Sequence, residues 1–303
     1  MARLLRLGTR GSPLALWQAN MVAAELRAAH GWPDDAIEIV PIRTTGDNVQ
    51  DRALAEIGGK ALWTKELDRA LLAHEIDFAV HSMKDVETIR PPEIVIAAMP
   101  RRADTRDKLI GADSLSALPA GARVGTSSPR RAAQVRRARP DVRIVLFRGN
   151  VDTRLRKLAE GEADATLLAA AGLDRLGRGA IGTPLDDLLP APAQGAVGIE
   201  TRADDDRIRS LLAAIDHDAT STCVLAERAL LAALGADCRA PVAALAQIDG
   251  AKIHLRAEIL SEDGTMYEAG EIRFDRDDAS APAALAKLLL DRAAPPLRAL
   301  FAA

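Results

Sequence analysis

The rhythm of apolar and polar positions repeats itself early in this chain. Residues 4–13, L-L-R-L-G-T-R-G-S-P, read as a short apolar strand, then Gly-Thr, then Ser-Pro opening a helix. Ser is a favoured N-cap, and Pro suits the first helical position because its missing N–H had no partner there. The helix predicted after Pro13 carries an apolar stripe at Leu14, Trp17, Met21 and Ala24, spaced three, four and three. Residues 123–131, R-V-G-T-S-S-P-R-R, give the same order with one residue fewer between Gly and Pro, and open a far more basic helix at Pro129. A second echo joins L-L-A-H-E-I-D-F-A-V-H-S at 71–82 to K-L-A-E-G-E-A-D-A-T-L-L-A at 157–169, each a helix end, an Asp and a buried strand. Strands alternating with helices predict parallel sheets with crossover connections. Two such units in tandem predict two similar doubly wound α/β domains facing each other across a cleft, over 1–100 plus 196–214 and over 105–190.

The last third reads differently. V-L-A-E-R-A-L-L-A-A-L at 224–234 predicts a helix stopped by Gly235, with a strand following at about 240–248. K-I-H-L-R-A-E-I-L, S-E-D-G and T-M-Y-E-A-G-E-I-R-F then make an alternating hairpin with Asp-Gly in its turn. A closing helix with Leu285, Leu288 and Leu289 in its stripe precedes Pro295-Pro296. Residues 218–303 therefore read as a small α+β domain with an antiparallel sheet.

Composition narrows the class. The 303 residues exceed a typical domain of roughly 100–150 two- to threefold, in keeping with several cores. No apolar run approaches the roughly 20 residues that span a bilayer, and charges interrupt the first ten positions, so a cytoplasmic protein without membrane or export segments is expected. Two cysteines, Cys223 and Cys238, make neither a disulfide framework nor a zinc cluster. The net charge of -3 speaks against a dedicated nucleic-acid binder. It hides an asymmetry: residues 121–160 hold eleven Arg/Lys against three Asp/Glu, a local net of +8. Phe147 is that window's one aromatic residue, so it offers no stacking platform for single strands, and an acidic small molecule suits it better.

Ligands of open α/β sheets bind at the carboxyl ends of strands, beside helix N-termini, where Ser12 and Ser128 are expected. The segment V-H-S-M-K-D-V at 80–86 crowds His81, Ser82, Lys84 and Asp85 onto such an end. Taken alone it is also what a charged loop with a Lys–Asp pair looks like.

Its company decides between these readings. T-R-G-S-P-L-A-L-W-Q-A at 9–19, G-G-K-A-L-W-T-K-E-L at 58–67, V-H-S-M-K-D-V at 80–86 and G-T-S-S-P-R-R at 125–131 resemble motifs of porphobilinogen deaminase, also called hydroxymethylbilane synthase. So do L-F-R-G-N-V-D-T-R-L at 146–155, A-Q-G-A-V-G-I-E at 193–200 and A-D-C-R-A-P-V at 236–242, and all seven run in the family's order. The resemblance implies a transferase that joins four porphobilinogen molecules head to tail, releases an ammonia each time, and hydrolyses off a linear tetrapyrrole for porphyrin and haem synthesis. It implies a dipyrromethane cofactor in thioether linkage to Cys238, whose neighbour Arg239 favours the thiolate. Asp85 matches the catalytic aspartate, suited to stabilising a cationic pyrrole and relaying a proton. Ser82, Lys84, Thr126, Ser128, Arg130, Arg131 and Arg154 fall on positions that hold the cofactor. Arg10, Ser12, Arg148, Arg175, Lys60 and Gln194 fall on positions for substrate, with Gln194 near an interdomain hinge. Guanidinium–carboxylate pairing suits the acetate and propionate of each pyrrole. Arg136, Arg137 and Arg139 lie outside the motifs and are expected at the surface.

Three departures stand out: Glu56 where a lysine is frequent, Pro-Ala before Gln194, and Pro129 for a frequent leucine. No metal or nucleotide site is indicated, since Gly58-Gly59-Lys60 lacks P-loop spacing. A monomer is implied. A solute-binding protein shares the two-domain, periplasmic-binding-protein-like build, but is mostly exported and needs no attached cofactor. The intact mass separates the two, because the enzyme is heavier than its sequence by two pyrrole units.

Overall fold

Ser12 accepts a hydrogen bond from the backbone N–H of Ala15 at 3.3 Å, and so caps helix α1 (Pro13–His30) where strand β1 (Leu5–Arg10) ends. This computed structural model describes residues 4–44, 64–237 and 240–301. Lys60, Glu56, Cys238 and Arg239 therefore lie outside the described residues, as does the whole of the segment 46–60. Among the described residues no helix is long and apolar enough to cross a membrane.

Helix α1 turns a different face inward from the predicted stripe. Ala15, Ala19, Val22, Ala23 and Leu26 are buried, whereas Trp17 is 40% exposed and Ala24 faces solvent. The helix is apolar over a wide sector, and its small residues, rather than its largest, let the backbone approach the sheet. That sheet has the order β2-β1-β3-β10-β4, with β2 (Ile37–Ile42), β3 (Phe78–Ser82), β4 (Ile94–Ala98) and β10 (Val197–Arg202). Helix α2 (Lys65–Leu72) precedes β3.

The chain separates into two compact units, and of the described residues the first takes 4–44, 64–103 and 195–221. The second, with 104–194 and 222–301, holds a sheet of order β7-β6-β8-β5-β9. Its strands are β5 (Asp107–Ile110), β6 (Arg123–Thr126), β7 (Arg143–Leu146), β8 (Ala165–Ala169) and β9 (Thr183–Leu185). Helices α3 (Pro129–Ala138), α4 (Val151–Ala159) and α5 (Ala170–Arg175) follow β6, β7 and β8. The echo in the sequence is thus an echo in topology, with β6, β7 and β8 in the slots of β1, β2 and β3.

The alternation of strands and helices predicts parallel sheets, but neither sheet is wholly parallel. β1 runs parallel to β2 and β3, and β6 to β7 and β8, but β10 and β5 are antiparallel to both of their neighbours. β5 and β10 are the strands on which the chain enters a unit from the other, without a crossover helix of that sheet to set their direction. The repeated Gly-Thr also has a steric basis. A Cβ on Gly125 would stand 2.5 Å from the Phe147 ring, and one on Gly8 would collide with Ile76.

After helices α6 (Asp206–Leu212) and α7 (Asp218–Ala233) comes the antiparallel sheet β11-β12-β13, formed by Val242–Asp249, Lys252–Leu260 and Tyr267–Asp275. One face, with Leu255 and Ile259, packs on Leu230 and on Leu285 and Leu289 of helix α8 (Ala281–Arg292). Leu288 is 39% exposed and lies off that stripe. Helix α7 starts six residues before the predicted position, because a polar D-A-T-S-T-C turn precedes its apolar run.

Candidate active site

Two strand ends of the first sheet meet at a small polar cavity. β1 delivers Arg10 and Ser12, and β3 delivers Ser82 followed by a 3-10 turn, Met83–Asp85. The cavity measures about 70 Å³, and its lining includes Arg10, Ser12, Gln18, Thr64, Ser82 and Asp85. Gln18, buried in α1, donates to Ser82 Oγ at 2.9 Å. The turn is anchored from below: the N–H of Met83 donates to Ala196 O at 3.1 Å, and its fully buried side chain fills the space left by Gly198. That close approach accounts for a glycine in the apolar strand β10. Asp85 itself is half-buried and has no hydrogen bond or ion pair among the described residues. Lys84, beside it, is half-buried too.

His81 is not a free member of this cluster. Its Nε2 stands 3.1 Å from Glu200 Oε2, and both side chains are buried. Glu200 is also gripped by Arg90, whose Nε and Nη2 reach its two oxygens at 2.8 and 2.9 Å. Arg90 further meets Asp68 at 2.5 Å and Glu87 at 2.6 Å, and Thr64 Oγ1 donates to Glu87 at 2.7 Å. Burial works to raise the Glu200 carboxyl, but His81 and Arg90 hold it down at about 2. Burial pushes the Asp68 carboxyl up. Sequence reading passed over Arg90 and Glu200; the available signal was an acid inside the otherwise apolar V-G-I-E-T.

In the second unit the corresponding strand ends carry the basic residues. Thr126 and Ser128 follow β6; Ser128 caps α3 by accepting from Arg131 N at 3.4 Å, and Thr126 Oγ1 accepts from Ser128 N at 3.1 Å. Arg148, largely buried, and Gly149 follow β7, and Arg154 on α4 donates from Nε to Gly149 O at 3.0 Å and from Nη2 to Ser127 Oγ at 3.1 Å. Arg175 ends α5, its pKa lowered by burial.

Arg130 and Arg131 are only 3% and 5% exposed, so they are not open cleft side chains. Each gives Nη2 to a different oxygen of the fully buried Asp107 at 2.7 Å. Arg130 Nη1 donates to Gln134 Oε1 and Leu189 O, and Arg131 Nη1 to Leu167 O. The Nε of each is buried without an acceptor. Gln194, fully buried, donates to Asp107 Oδ1 and Thr105 O at 2.8 Å, inside this cluster rather than on an open surface.

The arginines assigned to the surface do more than face solvent. Arg136 donates to Glu262 O at 2.8 Å, Arg137 lies 3.4 Å from the Tyr267 ring centroid, and Arg139 pairs with Asp141 at 2.8 Å. The first two tie α3 to the β12–β13 hairpin. Cys223 is buried within α7.

Residues 5–210 match the family model described as porphobilinogen deaminase, dipyromethane cofactor binding domain, and residues 221–291 match the porphobilinogen deaminase C-terminal domain. The porphobilinogen deaminase of Sphingopyxis alaskensis is 62% identical, in a match covering 98% of this chain and 96% of that protein. That of Paracoccus denitrificans is 54% identical, covering 88% and 87%. Among solved structures, the periplasmic VFT2 domain of Bordetella pertussis BvgS is 16% identical with a TM-score of 0.42, covering 71% of this chain and 87% of its own.

Proposed function

The chain belongs to the porphobilinogen deaminase family, and we propose that its two α/β sheets divide that family's reaction by charge. The enzyme deaminates porphobilinogen and joins four molecules into hydroxymethylbilane, one ammonia leaving at each condensation. Loss of ammonia puts positive charge on a pyrrole of the substrate, and Asp85 is the group that meets it. The supporting observation is its carboxylate, unpaired among the described residues, at the carboxyl end of β3 and within a polar cavity. A fixed negative charge aimed where cationic charge develops lowers the barrier without reorganising at the moment of reaction. The same carboxylate takes up the proton lost when the new carbon–carbon bond forms.

The cofactor of the family is an acidic dipyrromethane, and the second unit suits it. The buried, acceptor-less Nε atoms of Arg130 and Arg131 are donors fitted to a carboxylate. Ser82, Lys84, Thr126, Ser128, Arg130, Arg131 and Arg154 hold it in this reading, and it is joined by a thioether to Cys238, outside the described residues. When bound, it supplies the pyrrole end on which the chain grows. Arg10, Ser12, Arg148, Arg175 and Lys60 hold the acetate and propionate of substrate, and Gln194 acts on Arg131 through Asp107. The protein works as a cytoplasmic monomer.

The test is the purified protein supplied with porphobilinogen, with ammonia and linear tetrapyrrole measured together. Four ammonia per tetrapyrrole are expected, from protein whose intact mass exceeds its sequence by two pyrrole units. Porphobilinogen bound but not consumed, by protein of unmodified mass, overturns the reading in favour of a binding protein.

A further inference from the structure

The outward face of the C-terminal sheet lines a second cavity, in the second unit, of about 630 Å³. It is large enough for an organic ligand, for which pockets of roughly 300–1,000 Å³ are usual. Its other wall runs along Asp104–Arg106 and Asp186–Pro190, and Leu189 and Leu245 give it an apolar portion.

Away from its exposed rim, its charges are matched with one conspicuous exception. Arg106 takes up Asp104 at 2.7 Å and Asp186 at 3.0 Å. Glu258 accepts from Gln134 at 3.1 Å with Arg137 at 3.8 Å, and Glu271 meets His254 at 3.0 Å. Asp187 sits at the exposed rim. The side chain of Arg256, half-buried on β12 between Leu245 and Glu271 of the flanking strands, has neither a hydrogen bond nor an ion pair among the described residues. Its Nε is shut off from solvent with no acceptor. Glu271, directly opposite, is turned toward His254 instead. A shielded guanidinium nitrogen without a partner is uncommon in a native protein and points to an acceptor that arrives from outside.

We propose that this cavity is a binding site for a small organic carboxylate with a flat apolar body, its carboxylate on Arg256 and its body against Leu189 and Leu245. The guanidinium fork matches a carboxylate in two parallel hydrogen bonds, and the surrounding acids, already neutralised, do not compete for it. Arg256 is not among the residues assigned to tetrapyrrole assembly, although the Leu189 carbonyl in the cavity wall accepts from Arg130, and the proposal does not rest on that assignment.

The probe is 2-naphthoate, titrated calorimetrically into the holoenzyme, with 2-naphthamide as its neutral counterpart. The arginines assigned to the reaction also accept carboxylates, so the diagnostic quantity is the class of sites lost on substitution. Arg256→Gln is expected to weaken one class of naphthoate sites by ten- to a hundredfold, while porphobilinogen turnover and the thermal midpoint match wild type. Naphthamide should bind the wild type as weakly as naphthoate binds that variant. Arg256→Lys, which keeps the charge and loses the fork, should fall between, and carries the comparison if the Gln variant does not fold. Identical isotherms for wild type and the Arg256 variants, or an amide that binds as tightly as the acid, overturn the proposal.

Discussion

Replacing Asp107 with Asn removes one negative charge from a fully buried position between Arg130 and Arg131. Asn keeps the size of the side chain and one acceptor, but leaves two nearly solvent-free guanidiniums facing each other without a counter-ion. Breaking a buried pair by removing one partner costs about 3–5 kcal/mol, most of it the desolvated charge left behind. For a unit of roughly 150–250 residues, where 1 kcal/mol moves the midpoint by about 2–4 °C, Tm should fall by about 6–20 °C. The pH dependence follows from the direction of the Asp107 shift. Burial works to raise its carboxyl, but the two arginines hold it far below the ordinary carboxylate range. A folded-state value below the unfolded one gives stability that is complete above the unfolded value, about 3.9, and drains away steadily as pH falls from there to the folded value. The gap between wild type and variant should therefore be constant from neutral pH to about 5, and narrow only in stronger acid. Scanning calorimetry of both proteins across that range measures it. An unchanged Tm at neutral pH, or a gap that widens on acidification, would refute the account of the cluster.

Asp85→Asn should lower kcat by about 10²–10³ with a smaller change in KM, and Asp85→Glu should retain more activity, in steady-state assays of cofactor-loaded protein. Equal kcat values for wild type and Asn would make Asp85 a binding residue. Cys238→Ser should yield folded protein lacking the two-pyrrole mass increment, while Cys223→Ser keeps it; an adduct on Cys223 in the intact-mass spectrum reverses the assignment. Glu200→Gln should destabilise by about 1.5–3 kcal/mol at neutral pH, since it weakens charge-assisted hydrogen bonds to Arg90 and His81 while Asp68 and Glu87 still pair with Arg90. Because Glu200 titrates at about 2 in the fold, below its unfolded value, that difference should persist to mildly acid pH and shrink towards pH 2, as denaturant titrations at several pH values can read.

Much of this was written in local chemistry. Ser12-Pro13 and Ser128-Pro129 announced two helix starts because N-caps and a leading Pro act within one turn, and both helices begin at those prolines. The hairpin of β12 and β13 was legible from alternation alone. What escaped was decided by distant partners. The direction of β5 and β10 depends on where the chain comes from, not on their own residues. The buried face of α1 belongs to alanines, whose weak hydrophobic signal is outweighed by Trp17 and Met21 in any reading of periodicity. Arg130 and Arg131 carry motif positions, but their burial depends on Asp107, 23 residues before Arg130 in the chain. Glu200 meets Arg90 across 110 positions. No window along the sequence brings those charges together.

The two sheets are one topological plan used with opposite electrostatics. In each, the antiparallel strand beside the site-bearing strand supplies a fully buried acid: Glu200 on β10 against β3, Asp107 on β5 against β8. Glu200 shares a single guanidinium, that of Arg90, with Asp68 and Glu87, so three carboxylates surround one arginine. Asp107 answers two guanidiniums alone. The first cluster is left short of positive charge and the second short of negative charge, in interiors where unmatched charges interact several times more strongly than in water. Burial raises the Asp68 carboxyl in the first unit, and the nearby Glu200 charge adds to that rise; in the second, the Nε atoms of Arg130 and Arg131 are left without acceptors. Each imbalance has the sign that the proposed function calls for. In that reading a cationic pyrrole forming at Asp85 meets a neighbourhood already rich in carboxylate, and a cofactor carboxylate at Arg130 and Arg131 finds donors without acceptors. What separates the two sheets, on one shared topology, is the count of arginines gathered around a single buried acid.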